Sequence, residues 1–546
     1  MRILHLAVPA LVLALLVGCD DDDGTDAGPG TDASARDAGP GVDAGPGMDA
    51  GPGVDAGPTP DAGPTPDAGP TPDGGPPPPP TACAYAAPTG AVVYVATDGD
   101  DDSGDGSMGS PWATITHALD NVSDGATILV RPGTYTGRIR MRGTFATGVT
   151  VRSEVPYMAR LRHDAAVMTF YTTGAGCEGI TVEGFDIAHS GAGASALVVH
   201  IDGDGDNSVS RITLRNNVLH DSFNNDVLKI NNGISDVVIE RNMFFNQTGS
   251  DEHIDLNSAE GVTIQDNLFF NAFAASGRTD GADTSSYIVI KDSNGDEDVY
   301  TGSRNITVRR NVFLRWEGSS GNGFLLLGED GQPFHEVDGA LIENNLFLGD
   351  SANAMRSPFG IKGARNVVFR HNTTVGDMPS RAFAFRFNRE GENPVITGVE
   401  LYNNIWSDPT GSMGALDGSG PNDFSDTAPA DVGDFTLANN LYWNGGSAIP
   451  EEGADAINPS DDGSGITGDP LLGAQGSLVV PHWNGTAFAD GSTDICGAFE
   501  RLVMLYGTPA SGSAAVDAAD TSRMATDDIL GRTRGGAPDV GAVERP

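Results

Sequence analysis

Residues 212–220, 237–246 and 262–271 read ITLRNNVLH, VVIERNMFFN and VTIQDNLFFN. Each phrase is a short run that alternates apolar and polar residues, followed by a polar pair ending in Asn and then two or three apolar residues. A strand-like unit that returns at a fixed period is the signature of a solenoid. The Asn residues that occupy the same place in the three phrases are 25 residues apart: Asn217, Asn242 and Asn267.

The same phrase returns five more times toward the C-terminus, and an earlier copy places Phe185 where the others have Asn. An antiparallel sandwich with Asn-rich turns is the alternative interpretation, but it leaves the shared register of eight phrases unexplained. The longer intervals are either one coil with a loop or two coils with a degenerate phrase. The five later copies carry Asn311, Asn345, Asn372, Asn404 and Asn440.

The phrase has a physical logic when its units stack. Alternating residues such as Val262 and Ile264 place one face inward and the other toward solvent. The Asn then stands at a corner, where it tolerates unusual backbone angles and its amide can bond to the coils above and below. One coil cannot bury its inner face alone, so we expect stacked coils with a ladder of buried Asn side chains.

Two further stretches carry a resemblance to a known family. Residues 93–137, VYVATDGDDDSGDGSMGSPWATITHALDNVSDGATILVRPGTYTG, resemble the opening of secreted bacterial β-helix proteins, and residues 512–544 resemble their closing segment. Together with the Asn phrases, they make residues 91–545 similar to the pectate-lyase-like superfamily, in a bacterial lipoprotein form. The resemblance implies an all-β chain that forms a single-stranded, right-handed parallel β-helix with short capping helices.

The N-terminus has the features of an export signal. Arg2 precedes an apolar run, and Leu16-Val17-Gly18-Cys19 reads as a lipobox whose Cys19 would be acylated. The run is short for a membrane span of about 20 residues, although an uncleaved anchor is the alternative. We therefore expect residues 1–19 to be a lipoprotein signal peptide. The mature protein would be lipid-anchored to the bacterial cell envelope, at the outer membrane or cell surface.

The next segment is a low-complexity linker. Residues 20–82 consist largely of DAGPG and DAGPTP units and end in a run of Pro. Such a composition has little apolar surface to bury, so we expect a disordered, extended spacer. Behind it, residues 91–444 are predicted to be the β-helix domain and residues 445–546 a C-terminal cap and return segment. Residues 111–122 and 499–506 are predicted to form short amphipathic capping helices.

The chain is strongly acidic, with a formal net charge of −44. Nucleic-acid binding is thereby disfavoured, because phosphate contacts need clustered Lys and Arg. Four Cys are present, and none has metal-binding spacing. With Cys19 assigned to the lipid, three cysteines remain: Cys83, Cys177 and Cys496. At most one disulfide joins two of them, and free thiols are the alternative. We expect a monomer whose partner is a polysaccharide or a cell-surface glycan.

The candidate site follows from a second strand in each coil, at residues 227–231, 253–257, 287–291, 359–362 and 384–388. Alternation predicts that stacked strands, ~4.8 Å apart, gather outward side chains on one face. Lys229 is expected beside Asp255, and Asn257 beside Lys291. The candidate catalytic residues are Lys229, His253, Lys291 and Arg386, and the candidate substrate-binding residues are Asn231, Asp255, Asn257, Tyr287 and Asn388.

The resemblance implies a chemistry for this face, because the superfamily includes lyases that cut uronic-acid polymers by β-elimination. That reaction needs a cation at the substrate carboxylate and a base for the adjacent proton. Alternating carboxylates suit Ca²⁺, and the best candidate loop holds Asp202, Asp204 and Asp206. A surface ladder of salt bridges that only stabilises stacking is the alternative for the whole face.

Two functions from different classes therefore remain. The first is a surface lipoprotein that acts on a polysaccharide, as a uronate lyase with calcium. The second is a non-catalytic lipoprotein that binds glycans in adhesion. A fold alone does not choose between them, because one fold hosts many activities.

Overall fold

The repeated phrases form a stack of parallel strands. Neighbouring strands along the stack pair in parallel with aligned registers, for example Val218 with Met243 and Met243 with Leu268. This arrangement confirms the predicted right-handed parallel β-helix. The structure is a computed structural model, and it describes residues 83–171, 176–248, 251–278, 284–319, 321–349, 351, 353–376, 382–413, 423–451 and 457–545. The predicted signal peptide and linker lie outside the described residues.

Three parallel sheets run along the described stack, and a typical coil contributes to all three of them. Sheet A precedes the Asn corner and contains Val92–Val95, Thr127–Val130, Gly143–Ser153, Cys177–Glu183, Val209–Arg215, Ile234–Ser235, Val238–Glu240, Ala259–Glu260, Thr263–Gln265, Ser303–Arg309, Val337–Glu343, Ala364–Arg370, Thr397–Tyr402 and Phe435–Ala438. Sheet B follows the corner and contains Gly133–Thr136, Ala159–His163, Asp186–His189, Val218–His220, Met243–Phe245, Leu268–Phe270, Val312–Phe313, Leu346–Leu348, Thr373–Val375, Ile405–Asp408, Leu441–Asn444 and Ile466–Thr467. Sheet C completes each coil and contains Ile139–Met141, Met168–Phe170, Val199–Asp202, Leu228–Asn231, Ile254–Asn257, Ile288–Lys291, Leu325–Leu327, Phe359–Ile361, Ala382–Phe387 and Asp423–Thr427.

The eight Asn residues form a continuous buried ladder between sheets A and B. Each side-chain oxygen accepts from the backbone N–H of the Asn one coil earlier, at 2.8–3.0 Å. Each Nδ2 donates to the next Asn and to a sheet A carbonyl, as Asn267 does to Asn311 and Ile239. Phe185 N–H begins the ladder by donating to Asn217, and the carboxylate of Asp462 ends it by accepting from Asn440.

The unusual backbone angles belong to the residue before each ladder Asn, which corrects the expectation that the Asn itself adopts them. This leaves the Asn free to point into the interior while its predecessor turns the chain. The predecessors have φ between 50° and 60°: Asn216, Arg241, Asp266, Arg310, Asn344, His371, Asn403 and Asn439.

The change Asn267→Ala should lower the free energy of unfolding by ~1–3 kcal/mol, because Asn242 loses its buried acceptor and Ile239 its donor. Urea unfolding measures the loss. The exposed Asn121→Ala, at the end of a helix, is the control and should stay within about 0.5 kcal/mol of the wild type. Equal effects of the two substitutions would contradict a stabilising ladder.

The interior is packed with side chains that stack from coil to coil. Phe244, Phe269, Phe313 and Phe347 follow one another on sheet B with ring centroids 4.9–5.0 Å apart. That distance matches the spacing of paired strands, so the rings lie nearly parallel along the axis. The aromatic column makes the centre of the solenoid a dry, rigid support for the residues on its outer faces.

The N-terminal end is closed by a helix over Ile115–Asn121, shorter than the predicted 111–122. Trp112 forms a bridge with Val95, which keeps the preceding residues extended. Thr114 is the N-cap and accepts from the N–H of His117. None of the helices in the described part of the chain is long and apolar enough to cross a membrane.

The C-terminal segment packs against the outer face of sheet B. Phe245 and Phe270 point away from the interior and are buried against Trp483, Phe499 and Val543. The segment contains a helix over Ile495–Leu502, a π-helical turn over Val503–Gly507, and 3-10 turns over Pro459–Asp461 and Thr521–Arg523. From Val218–His220 to Thr373–Val375, sheet B is thus buried on both faces, which explains the apolar runs of these strands.

A disulfide joins the N-terminal end of the described chain to the C-terminal segment. Cys83 and Cys496 are bonded with their Cα atoms 5.7 Å apart, across a sequence separation of 413 residues. Cys177 is a free, buried thiol on sheet A, and burial raises its pKa to about 12. The sequence alone does not choose between this disulfide and free thiols.

Candidate functional site

The outer face of sheet C gathers the three lysines of the chain with several carboxylates. The register pairs Lys229 with Asp255 and Asn257 with Lys291, as the strand alignment predicts. Lys229 Nζ lies 3.0 Å from Asp255 Oδ2, and Lys291 Nζ lies 3.9 Å from the same oxygen. The two lysines therefore share one side of the solenoid and one carboxylate.

Lys291 is also surrounded by acidic groups from the next coil. Its Nζ lies 3.0 Å from Glu329 Oε2 and 3.7 Å from Asp330 Oδ1. Burial alone would lower the pKa of Lys291, but the carboxylates of Asp255 and Glu329 outweigh it and raise this pKa. As the structure stands, Lys291 is held in its charged form.

Three more carboxylates converge beside this pair of lysines. Carboxylate oxygens of Asp226, Asp251 and Glu252 all lie within 4.8 Å of one another. Asp226 and Glu252 each stand two residues before a sheet C strand, and Leu228 pairs with Ile254, so stacking brings their turns together. The N–H of Glu252 donates to Asp226 Oδ1 at 2.9 Å. We call Asp226, Asp251, Glu252 and Asp255 the carboxylate group.

The electrostatics of the carboxylate group favour the binding of a cation. Burial, followed by repulsion from Asp226, raises the pKa of Asp251 to about 8 and that of Glu252 well above its ordinary value. Asp255 adds to both shifts, and its Oδ1 is buried without a hydrogen-bond partner among the described residues. Crowded, dehydrated oxygens of this kind are ligands for a hard divalent cation such as Ca²⁺.

His253 and Tyr287 do not belong to the outer face, so the prediction that they point outward is wrong. Both are buried and stack on each other with ring centroids 4.3 Å apart. Each immediately precedes its strand, at the corner between sheets B and C, where strict alternation has not yet begun. Tyr287 Oη donates to the carbonyl of Arg315 at 2.7 Å, and His253 Nε2 bonds with Asn271.

Arg386 and Asn388 lie on the same face but away from the lysines. Arg386 is three strands further along sheet C than Lys291, roughly 14 Å at ~4.8 Å per strand. Its Nε donates to Asp426 at 2.9 Å. Asn388 Nδ2 donates to the carbonyl of Arg389 at a long 3.5 Å. These two residues do not belong to the group around Lys291.

Asn231 and Asn257 flank the lysines and are engaged by neighbours. Asn231 Oδ1 bonds with His200 Nε2 at 2.8 Å, and Asn257 Oδ1 accepts from Ser293 N–H at 2.9 Å. They hold the turns at the edge of sheet C. Contact with a substrate stays a prediction for both.

The loop 202–206 uses its carboxylates to accept hydrogen bonds, and a bound ion there stays a prediction. Asp202 Oδ1 accepts from the N–H of Asp204 and from Asn232 Nδ2, and Asp206 accepts from Ser208 N–H. These carboxylates stabilise turns, and the three of them do not form a convergent set in the part of the chain that the structure describes. The convergent oxygens are those of Asp226, Asp251 and Glu252.

Solved structures with a comparable backbone arrangement exist. The fold is similar to that of a pectate lyase, Pel9A. That match has 16% identity and a TM-score of 0.48, and it covers 84% of this chain and 97% of that one. A rhamnogalacturonan lyase matches with 14% identity and a TM-score of 0.43, over 77% of this chain and 99% of its own. A polygalacturonase from Erwinia carotovora matches with 14% identity and a TM-score of 0.38, over 67% and 95%.

No protein-family model matches the sequence, and no curated protein matches it either.

Sequence reasoning missed three of the four members of the carboxylate group. Asp251 and Glu252 precede His253 directly, and Asp226 precedes Val227. One sequence feature indicates this group: an acidic residue stands just before each of two successive sheet C strands. Stacking of the coils must bring these two acidic residues together. These acidic residues lie in turns, outside the alternating strand positions that predict the outer face.

Proposed function

We propose that the protein is a cation-dependent lyase that cleaves a uronic-acid polysaccharide by β-elimination on the outer face of sheet C. The observation that carries this proposal is the convergence of Asp226, Asp251 and Glu252 within 4.8 Å, beside Asp255 and Lys291. A cation site and a basic side chain are the two groups that this elimination requires.

The carboxylate group would hold a divalent cation, and Ca²⁺ suits its oxygen ligands. When bound, the cation supplies positive charge that neutralises the substrate carboxylate and acidifies the neighbouring C5–H. Its positive charge would also offset the negative charge of Asp255, one of the carboxylates that raise the pKa of Lys291. The role of the carboxylate group is therefore to hold the cation next to Lys291.

Lys291 is the residue that we assign as the base. As a neutral amine, its Nζ takes the C5 proton, and the C–H electron pair forms the C4=C5 double bond. The C4–O4 bond breaks, and O4 leaves with a proton from solvent. Lys229 contacts Asp255 Oδ2 at 3.0 Å and keeps that carboxylate in place, so we assign it a positioning role.

The test is a screen of polygalacturonate, alginate and polyglucuronate with added Ca²⁺. Elimination should create new ultraviolet absorbance from the unsaturated product with one of these polymers. Binding of a polymer without any new absorbance would favour the alternative, a non-catalytic glycan-binding lipoprotein. The lipid anchor at Cys19 and the envelope location remain part of this proposal, because they rest on the sequence alone.

A further inference from the structure

A second cleft lies near the N-terminal end of the solenoid, with a volume of about 560 Å³. It is bounded by the start of the helix Ile115–Asn121 and by the strands Gly133–Thr136 and Ile139–Met141. None of its twelve lining residues is acidic, although the chain has 75 acidic against 31 basic residues. In so acidic a protein, a large cleft without carboxylates suits an anionic ligand.

Two arginines at this cleft are exposed, and their guanidinium groups have no partner among the described residues. Neither Arg138 nor Arg140 makes a side-chain hydrogen bond or an ion pair with any residue in the described ranges, whereas Arg142 donates to Asp120 at 2.8 Å. An arginine guanidinium presents a fork of donors that matches a carboxylate. Both side chains are therefore available for an acidic sugar.

Hydroxyl groups complete the polar lining of the cleft. Thr116 Oγ1 donates to the carbonyl of Arg140 at 3.2 Å and accepts from its N–H at 3.1 Å, which ties the strand to the capping helix. A rigid wall that combines guanidinium and hydroxyl groups matches the carboxylate and hydroxyls of a uronate. The other threonines that line the cleft are Thr97, Thr114, Thr134 and Thr136.

The cleft is in line with the carboxylate group. Strand register places Arg140, Thr169, His200, Lys229 and Asp255 at one outward position on five successive coils. Four strand spacings of ~4.8 Å separate Arg140 from Asp255 by roughly 19 Å. Thr169 Oγ1, between them, is buried and has no hydrogen-bond partner among the described residues. A polymer that follows the solenoid axis from Asp255 reaches Arg140.

We propose that this cleft is a distal subsite for an anionic sugar. Arg138 and Arg140 would bind a sugar unit of the polysaccharide that lies several units away from the bond that is cleaved. The inference rests on the proposed function for its place in the reaction. Binding at this subsite does not require cleavage. The subsite implies a polysaccharide that carries carboxylates on sugar units far apart from one another.

The test compares oligogalacturonates of two lengths, a tetramer and a dodecamer, by calorimetry with Ca²⁺. Both proteins carry Lys291→Ala, which prevents turnover. One of them also carries Arg138→Ala and Arg140→Ala. We expect dodecamer affinity to fall by at least ~10-fold, since the loss of even one charge-assisted contact has about that effect, and tetramer affinity to be unchanged. Arg545→Ala, an exposed arginine near the C-terminus, is the control and should change neither affinity.

Unchanged dodecamer affinity, equal losses for both lengths, or no dodecamer binding before the arginines are removed would each overturn the inference. Failure of the proposed function is a separate result, because it appears as the absence of unsaturated product from the wild type. Chain-length-dependent binding can still be measured in that case.

Discussion

Replacing Lys291 with alanine should reduce kcat/KM for uronate cleavage by roughly 10²–10⁴-fold, the usual contribution of a general base. The amine lies 3.9 Å from Asp255 Oδ2, at the edge of the carboxylate group where the substrate carboxylate would bind. No other lysine lies next to Glu329 and Asp330 among the described residues. The loss is measured as the rate of appearance of unsaturated product under cation saturation.

Two further variants separate basicity from charge. Lys291→Arg keeps the positive charge but cannot give up its proton near neutral pH, so we expect a loss similar to that of alanine. Lys362→Ala, on the same face and paired with Glu390 at 2.6 Å, should leave the rate within a few-fold of the wild type. Full activity of the arginine variant would show that Lys291 acts through its charge, which contradicts its assignment as the base.

Removal of divalent cations should abolish cleavage completely and lower the thermal stability of the protein. Without the cation, Asp226, Asp251 and Glu252 still repel one another, and burial together with neighbouring negative charges raises the pKa of each of these three side chains. Restoring Ca²⁺ to about 100 times its dissociation constant should stabilise the fold by ~2.7 kcal/mol, by mass action. The midpoint of thermal unfolding, followed with and without chelator, measures this effect alongside activity.

Paired carboxamide variants locate the ion. Asp251→Asn with Glu252→Gln should eliminate both the thermal shift and the cleavage. Asp202→Asn with Asp206→Asn, in the loop that the sequence suggested as the ion site, is the matched control and should retain both. The opposite pattern would place the cation in the loop 202–206 and would refute the assignment of the carboxylate group.

The stacking of the coils could be predicted because the Asn phrase carries its own physical constraint. A buried amide at a corner needs partners, and identical phrases at one register provide them, so Asn242 must lie between Asn217 and Asn267. The same register places Lys229 against Asp255, since strand pairing fixes which outward residues are adjacent. These features depend on local periodicity, which the sequence displays directly.

The turns before the sheet C strands could not be predicted in the same way. Alternation holds inside a strand, but at the corner it breaks, so His253 and Tyr287 point inward while Asp226 and Glu252 meet. The outcome depends on the turn geometry of each coil, and those turns differ in length. The position of the C-terminal segment was equally hidden, because nothing local in Trp483 or Phe499 indicates that they pack on Phe245 and Phe270.

The mass of the products made from polygalacturonate in the presence of Ca²⁺ tests the central claim most directly. Elimination adds no water, so the two products together must have the mass of the substrate, with an unsaturated sugar at one new end. We predict this result for the wild type and its disappearance in Lys291→Ala. Products that have gained one water per cleavage would identify a hydrolase and would contradict an elimination driven by Lys291 and the carboxylate group.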